Sequence, residues 1–134
     1  MTTQFRNRIS AATLLVFTGL CGSVFAHHSF VAQYDADVVT SKSGVLVKVE
    51  WLNPHAYFYL DVEDPQTGEV VTWACELGSP VSMLRQGWTR EDLVLGEVFQ
   101  VEGNLARDGS ASLSTKSVIV ESTGKALFAR PQDN

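Results

Sequence analysis

Histidines stand at two places in the chain where they could bind a metal ion. The chain has three of them, His27, His28 and His55. If a signal peptidase cleaves after Ala26, His27 becomes the first residue, with its α-amino and ring nitrogens within reach of one metal ion. An α-amine has a pKa of about 8, so a metal ion can displace its proton at neutral pH. Cleavage at this position would therefore create a nitrogen chelator.

His55 is the candidate third nitrogen ligand. It directly follows Asn53-Pro54, a pair that is typical of a turn. A second imidazole would complete a T-shaped site of three nitrogens, with His28 as a neighbouring or substitute ligand. Cu(II) favours tetragonal nitrogen coordination and lies highest in the affinity order of divalent metals. The sequence therefore predicts copper as the metal ion, if one binds.

Other interpretations of these histidines stay open. Zinc usually takes four protein ligands, or three and a water, so Asp35, Asp37 or Glu50 would have to contribute. Terminal histidines are often disordered, and His55 could simply satisfy backbone groups in its turn. Cleavage one or two residues away would remove the chelating amine.

The first 26 residues have the three-part pattern of a secretory signal peptide. Arg6 and Arg8 give a positive region, an apolar stretch follows, and Val24-Phe25-Ala26 ends it with a small residue. An uncleaved anchor is the alternative, but the apolar stretch falls short of the roughly 20 residues that a membrane span needs. We therefore expect a periplasmic or secreted protein without a membrane span after cleavage.

Charge and cysteine content narrow the classes of function. The leader removes two of the 10 Lys and Arg residues and none of the 15 Asp and Glu residues, which leaves a net charge of −7. Nucleic-acid affinity depends largely on positive charge, so we expect no nucleic acid partner. Cys75 alone remains after cleavage and cannot form an internal disulfide. It is more often a buried packing residue than a nucleophile.

The remaining chain predicts an all-β domain. Alternating side chains and turn residues place strands in five segments, followed by a short tail strand at Ala126–Phe128. The five run from Val45 toward Trp51, Ala56 to Val62, Val70 to Leu77, Glu97 to Gly103 and Leu113 to Glu121. Three strands, a helix and two more strands are the order of an OB-like barrel. A small β-sandwich is the alternative.

One short helix is predicted between the third and fourth strands. Ser79 can cap it, Pro80 suits its first position and Gly87 ends it. Thr89 and Asp92 have the spacing of a second capped turn. The predicted organisation is a signal peptide (residues 1–26), an N-terminal arm (27–40), a five-stranded OB-like barrel (41–128) and a polar tail (129–134).

Aromatic residues form a second candidate site. Tyr57 and Tyr59 alternate onto one face of the second strand, and Trp51 ends the first. A shallow groove beside them could bind a peptide or a small ligand. Trp73 and Phe58 are expected to belong to the core. We find no phosphate loop, nucleophile elbow or zinc-protease helix, so we expect no catalytic residues.

Several segments together resemble a known family. They are AHHSF, VEWLNPHAYFYLDV, WACELGSP, LRQGWTREDL, GEVFQVEGNLARDGS and GKALF. The chain is similar, from His27 to about Phe128, to small exported bacterial proteins described only as a domain of unknown function. That resemblance implies export and a compact β-barrel-like domain, and it supplies no established activity. The matching positions are His27, His28, Ser29, Phe30, Trp51, Asn53, Pro54, His55, Gly87, Trp88 and Thr89.

These observations together favour an exported protein with a binding role rather than a catalytic one. The most specific version of this hypothesis is copper binding through His27 and His55. A metal-independent module is the alternative, holding a peptide, an envelope protein or a small ligand on its aromatic face. A copper enzyme built on the same nitrogens is a third hypothesis.

Overall fold

The computed structural model describes residues 30–128, with side chains through residue 126. The predicted leader, His27, His28 and the polar tail lie outside the described residues. Six strands and one short α-helix make up most of the described chain. In chain order they are β1 (Tyr34–Glu50), β2 (Tyr57–Glu63), β3 (Val70–Glu76), α1 (Pro80–Arg85), β4 (Val98–Ala106), β5 (Ser112–Val120) and β6 (Ala126–Phe128).

The strands form a closed ring, which confirms the predicted OB-like barrel. Their order is β3-β2-β1-β4-β5, and β3 returns to pair with β5. This last pairing is parallel and joins residues 74–76 to residues 112–114, whereas the other pairings are antiparallel. β6 adds to the outer edge of β5. The ring closes with three residue pairs, all at the carboxyl end of β3.

β1 is longer than the sequence pattern indicates. It begins at Tyr34 and runs for 17 residues, whereas the barrel is predicted to begin at residue 41. The pairing of β1 with β4 shifts register between Tyr34 and Val39. The Asn104 amide spans this irregularity by donating to the carbonyls of Asp35 (2.8 Å) and Ala36 (3.1 Å). Because a bulge breaks the two-residue period, this part of the strand shows no clean alternation in the sequence.

The barrel interior holds one apolar cluster. Leu46, Phe58, Leu60 and Phe99 are fully buried there, with the Phe58 and Phe99 rings 6.2 Å apart. Further members come from β3, β5 and the segment between β3 and β4: Cys75, Leu77, Met83, Trp88, Leu93, Leu113 and Val118. Cys75 is thus a packing residue, and burial raises the pKa of its thiol to about 12. Trp73 packs against this cluster while remaining partly exposed.

The connection from β3 to β4 has the predicted caps. The Ser79 hydroxyl accepts from the Ser82 amide at 3.2 Å and begins α1. Gly87, just after the helix, has a φ of 80°, a conformation that glycine adopts at little cost. The Thr89 amide donates to the Asp92 carboxylate at 2.9 Å. Residues 30–128 contain no helix with the length and apolar character that crossing a membrane requires.

Gly103→Ala is expected to lower the free energy of unfolding by about 1–3 kcal/mol, the usual cost of adding atoms to a packed region. A Cβ atom there would lie 2.4 Å from the Ser114 carbonyl oxygen and 2.7 Å from Leu113 Cδ1, so β4 and β5 would have to separate. Urea unfolding followed by tryptophan fluorescence measures the change. Glu102→Ala, at the exposed neighbouring position, is the control, with a change within about 0.5 kcal/mol. Equal stability of the two variants would contradict the argument.

Candidate functional site

The loop between β1 and β2 places His55 beside the end of β3. Two backbone hydrogen bonds tie this loop down: the Ala56 amide donates to Gly78 O at 3.1 Å, and the Leu77 amide donates to Ala56 O at 2.8 Å. Both bonds extend the pairing of β2 with β3 beyond the strand ends. His55 therefore stands next to Glu76, the last residue of β3.

His55 and Glu76 are in direct contact. The Nδ1 atom of His55 pairs with Oε1 of Glu76, whose side chain is 3% exposed, while the His55 side chain is 43% exposed. A carboxylate on Nδ1 fixes the orientation of an imidazole and leaves Nε2 to carry the lone pair. Within residues 30–128, Nε2 of His55 has no hydrogen-bond partner. The arrangement is the one that an outer carboxylate gives to a metal-binding histidine.

Two tyrosines contact the same carboxylate. The Tyr34 hydroxyl, at the start of β1, donates to Oε2 of Glu76 at 2.5 Å. Tyr57, at the start of β2, lies opposite Glu76 in the β2–β3 ladder, and its phenol interacts electrostatically with the same carboxylate. Burial and the carboxylate together raise the pKa of Tyr57 to about 12 and raise that of Tyr34 further. Both phenols therefore stay protonated and remain hydrogen-bond donors over the physiological range.

A depression of about 330 Å³ adjoins this cluster. Its polar lining comes from the start of β1, the start of β2 and the hairpin between β4 and β5: Gln33, Tyr34, Tyr57, Asp108, Ser110 and Ser112. The volume is at the small end of the range for ligand pockets. The hydroxyl and carboxylate groups would suit a small polar ligand.

The chain enters the described region beside the same cluster. Residues 30–33 form a helical turn, and the ring of Phe30 lies 5.8 Å from that of Tyr34. Tyr34 in turn contacts Glu76, which holds His55. Only two side chains therefore stand between Phe30 and the histidine.

The predicted aromatic site is divided between two surroundings. Tyr57 joins the Glu76 cluster, whereas the Tyr59 hydroxyl donates to Glu50 at 2.7 Å. The Lys48 ammonium lies over the Tyr59 ring, 4.6 Å from its centre. Trp51 is partly buried against the core. The structure therefore associates only Tyr57 of these three aromatic residues with His55.

Two of the three carboxylates considered for zinc are paired with cations. Asp35 pairs with Arg107 at 3.3 Å and Glu50 with Lys48 at 2.6 Å. Asp37 is exposed, and its amide donates to Asp35 at 3.1 Å. The part of the chain that the structure describes contains no group of three or more histidine, cysteine or acidic side chains able to hold a metal ion.

Glu76 and Tyr34 are the site residues that the sequence analysis did not select. Glu76 lies between Cys75 and Leu77 in a buried apolar stretch, and a carboxylate in such a stretch needs a partner. That signal identifies Glu76 as unusual. It does not identify Tyr34, which is 42 residues away in the chain.

The tyrosines should resist ionisation in the folded protein. Tyrosine ordinarily has a pKa of about 10. Burial, together with Glu76, raises the pKa of Tyr34 and Tyr57, and the hydrogen bond to Glu50 raises that of Tyr59, the third tyrosine of the chain. Above about pH 10 the unfolded chain then binds fewer protons than the folded one, so stability falls as pH rises toward about 12. Tyrosinate absorbance during a pH titration, with urea unfolding at each pH, measures both effects. A tyrosine that ionises near pH 10 in folded protein would contradict this geometry.

The family comparison agrees with the resemblance drawn from the sequence segments. Neither the curated proteins nor the solved structures contain a significant match to this chain. A family model matches residues 16–115, most of the chain. The chain therefore belongs to the family of unknown function DUF6152.

Proposed function

We propose that this protein is exported and binds Cu(II) through the α-amine and ring of His27 and through Nε2 of His55. The observation that carries the proposal is the contact between His55 and the buried carboxylate of Glu76. This contact orients the imidazole and leaves Nε2 available for a metal ion. A histidine with only a structural role would not require this partly exposed nitrogen.

The position of Phe30 supports the participation of His27. His27 and Phe30 are three positions apart in the chain, and an extended chain of that length spans at most about 10 Å. Phe30 lies against Tyr34, and Tyr34 contacts the carboxylate that holds His55. We therefore propose that the mature N-terminus reaches His55 from the side of the barrel on which Phe30 lies, with His28 as a neighbouring or substitute ligand.

The available donor atoms favour copper over zinc. The Cys75 thiol is buried with a pKa of about 12, and Asp35 and Glu50 are paired with cations. What remains at the site is an amine and two imidazoles, a set that Cu(II) binds well. Because the leader pattern directs the chain out of the cytoplasm, we propose the periplasm or the exterior as the location.

An extra residue before His27 should weaken copper binding. A mature chain carrying one added alanine keeps the imidazoles but moves the α-amine away from the His27 ring. We expect at least tenfold weaker Cu(II) binding, a loss of about 1.4 kcal/mol. Competition with a chromophoric chelator measures the affinity, after mass spectrometry has verified that His27 is the first residue of the native form. Equal affinity of the native and extended chains would exclude the terminal chelate.

Glu76→Gln should weaken copper binding while His55 is retained. The amide cannot hold the imidazole as the carboxylate does, and loss of such an outer partner typically costs about 10- to 100-fold in metal affinity. Chelator competition and the electron paramagnetic resonance spectrum of the Cu(II) form measure the effect.

Glu50→Gln is the matched control for this variant. Glu50 also accepts from a tyrosine, Tyr59, but its contacts include no histidine. Its copper affinity should equal that of the native chain. If both glutamine variants weaken copper binding equally, the contact between Glu76 and His55 is not the cause of the loss. Thermal melts establish that both variants are folded.

A metal-independent binding protein is a second candidate, favoured by the depression beside Tyr57. Its hydroxyl-rich lining would suit a small polar ligand or a peptide end. This candidate requires no metal ion. Retention of a ligand by protein treated with a chelator, and its loss in Tyr57→Ala, separate it from the copper proposal.

A further inference from the structure

The depression beside Tyr57 offers negative charge to a ligand. Among the described residues that line it, none is basic, whereas Asp108 supplies a carboxylate. Arg107 is the neighbour of this aspartate in the chain, but its guanidinium pairs with Asp35 at 3.3 Å and its Nε atom donates to two backbone carbonyls. The positive charge of Arg107 is therefore compensated by Asp35, and the charge of Asp108 remains available to a ligand.

Asp108 is held in place by its own turn. The Ser110 amide donates to its Oδ1 atom at 2.9 Å, and the Ser110 hydroxyl and amide together hold the pKa of Asp108 below its usual range. The side chain is therefore ionised at neutral pH. An ionised carboxylate has about four lone-pair sites, so Asp108 can accept further hydrogen bonds from a ligand.

Tyr34 can act on a ligand only as a hydrogen-bond acceptor. A phenol has one donor hydrogen, and the Tyr34 hydroxyl donates it to the buried carboxylate of Glu76 at 2.5 Å. Its oxygen therefore accepts from any donor that reaches it. Tyr57 adds a partly exposed aromatic ring to the same lining, and the face of such a ring attracts cations.

These groups suit a ligand that is positively charged and donates hydrogen bonds. An ammonium group has three donors and no acceptor, which matches the acceptors of Asp108 and Tyr34. An anion would be repelled by Asp108, and a neutral hydroxyl would supply one donor without charge. The volume of about 330 Å³ corresponds to about ten waters at roughly 30 Å³ each. That is room for an amine with a short alkyl chain.

We propose that the depression binds the primary ammonium group of a small organic amine, with Asp108 as its counter-ion, the Tyr34 oxygen as an acceptor and the Tyr57 ring beside it. The inference rests on the second candidate function, ligand binding at this depression, and names the class of the ligand. It does not depend on copper, because the lining contains none of the proposed metal ligands.

n-Butylamine, which reproduces the lysine side chain, is the first probe. It is protonated at neutral pH, as lysine is. In ¹H–¹⁵N NMR spectra of protein treated with a chelator, it should shift the backbone amides of Tyr57, Asp108 and Ser112 in a saturable way. 1-Butanol has the same alkyl chain without the charge. We expect it to bind at least about fivefold more weakly, because hydrogen bonds to charged groups are the stronger ones.

Asp108→Asn tests the counter-ion. It should weaken n-butylamine binding about three- to tenfold and change 1-butanol binding by less than about twofold, because only the amine carries the charge. The asparagine keeps an oxygen that can accept from the Ser110 amide, so the turn is retained.

Asp64→Asn is the matched control. Asp64 also lies in a hairpin turn and accepts from the amide two residues later, that of Gln66, at 2.7 Å, but it does not line the depression. This variant loses the same charge and should bind n-butylamine as the native chain does. Circular dichroism melts establish that both variants are folded.

A blocked lysine, Nα-acetyllysine amide, distinguishes two sources of the ammonium group. Tighter binding than that of n-butylamine would identify a lysine of a peptide as the ligand. Weaker binding would identify a free amine, because the added backbone atoms then do not fit. Either result retains the ammonium class.

Three results would overturn the inference. Equal binding of n-butylamine and 1-butanol would refute the ammonium class and leave the second candidate function standing. Equal losses in Asp108→Asn and Asp64→Asn would mean that the overall negative charge attracts the amine, without a site at the depression. If n-butylamine shifts none of the lining amides, the ammonium site does not exist, and the Tyr57→Ala experiment alone then decides the second candidate.

Discussion

The carboxylate of Glu76 is the constraint on which the site depends. An ionised carboxylate removed from water costs several kcal/mol unless charges and hydrogen bonds compensate, and Glu76 is 2% exposed. Its compensation comes from Tyr34 and Tyr57 and from the imidazole of His55. These partners come from two distant parts of the chain, the start of β1 and residues 55–57. Removing any one of them would leave a buried acid partly unsatisfied, so this cluster holds the loop and two strand starts together.

Closure of the barrel brings these parts of the chain together. Glu76 pairs with Tyr57 across the β2–β3 ladder and with Ser114 across the parallel β3–β5 ladder. The ring closes at the end of β3, and the last residue of that strand is the acid. The close approach of Gly103 to Ser114 lets β4 follow β5 toward this point. Packing in the barrel and geometry at the site therefore have a common structural origin.

The sequence alone predicts those structural features that depend on local patterns of residues. The strands, the Ser79 cap and the Thr89–Asp92 turn are each determined by residues within a few positions of one another, and the structure confirms them. Register irregularities are not local in this sense, because the bulge near Tyr34 is set by its pairing with β4. The two-residue period puts Tyr57 and Tyr59 on one face, but it cannot tell that each meets a different glutamate. Contacts between distant segments, such as Tyr34 with Glu76, leave no periodic trace.

The choice of histidine as a partner for Glu76 bears on function. A buried carboxylate requires only hydrogen-bond donors, and an arginine would supply a stronger, charged fork of them. A histidine offers a weaker contact, but it keeps a second nitrogen with a lone pair. At position 55 that nitrogen belongs to a side chain that is 43% exposed. A site selected for stability alone would have little use for this arrangement, whereas a metal site needs an imidazole held rigidly on one nitrogen and open on the other.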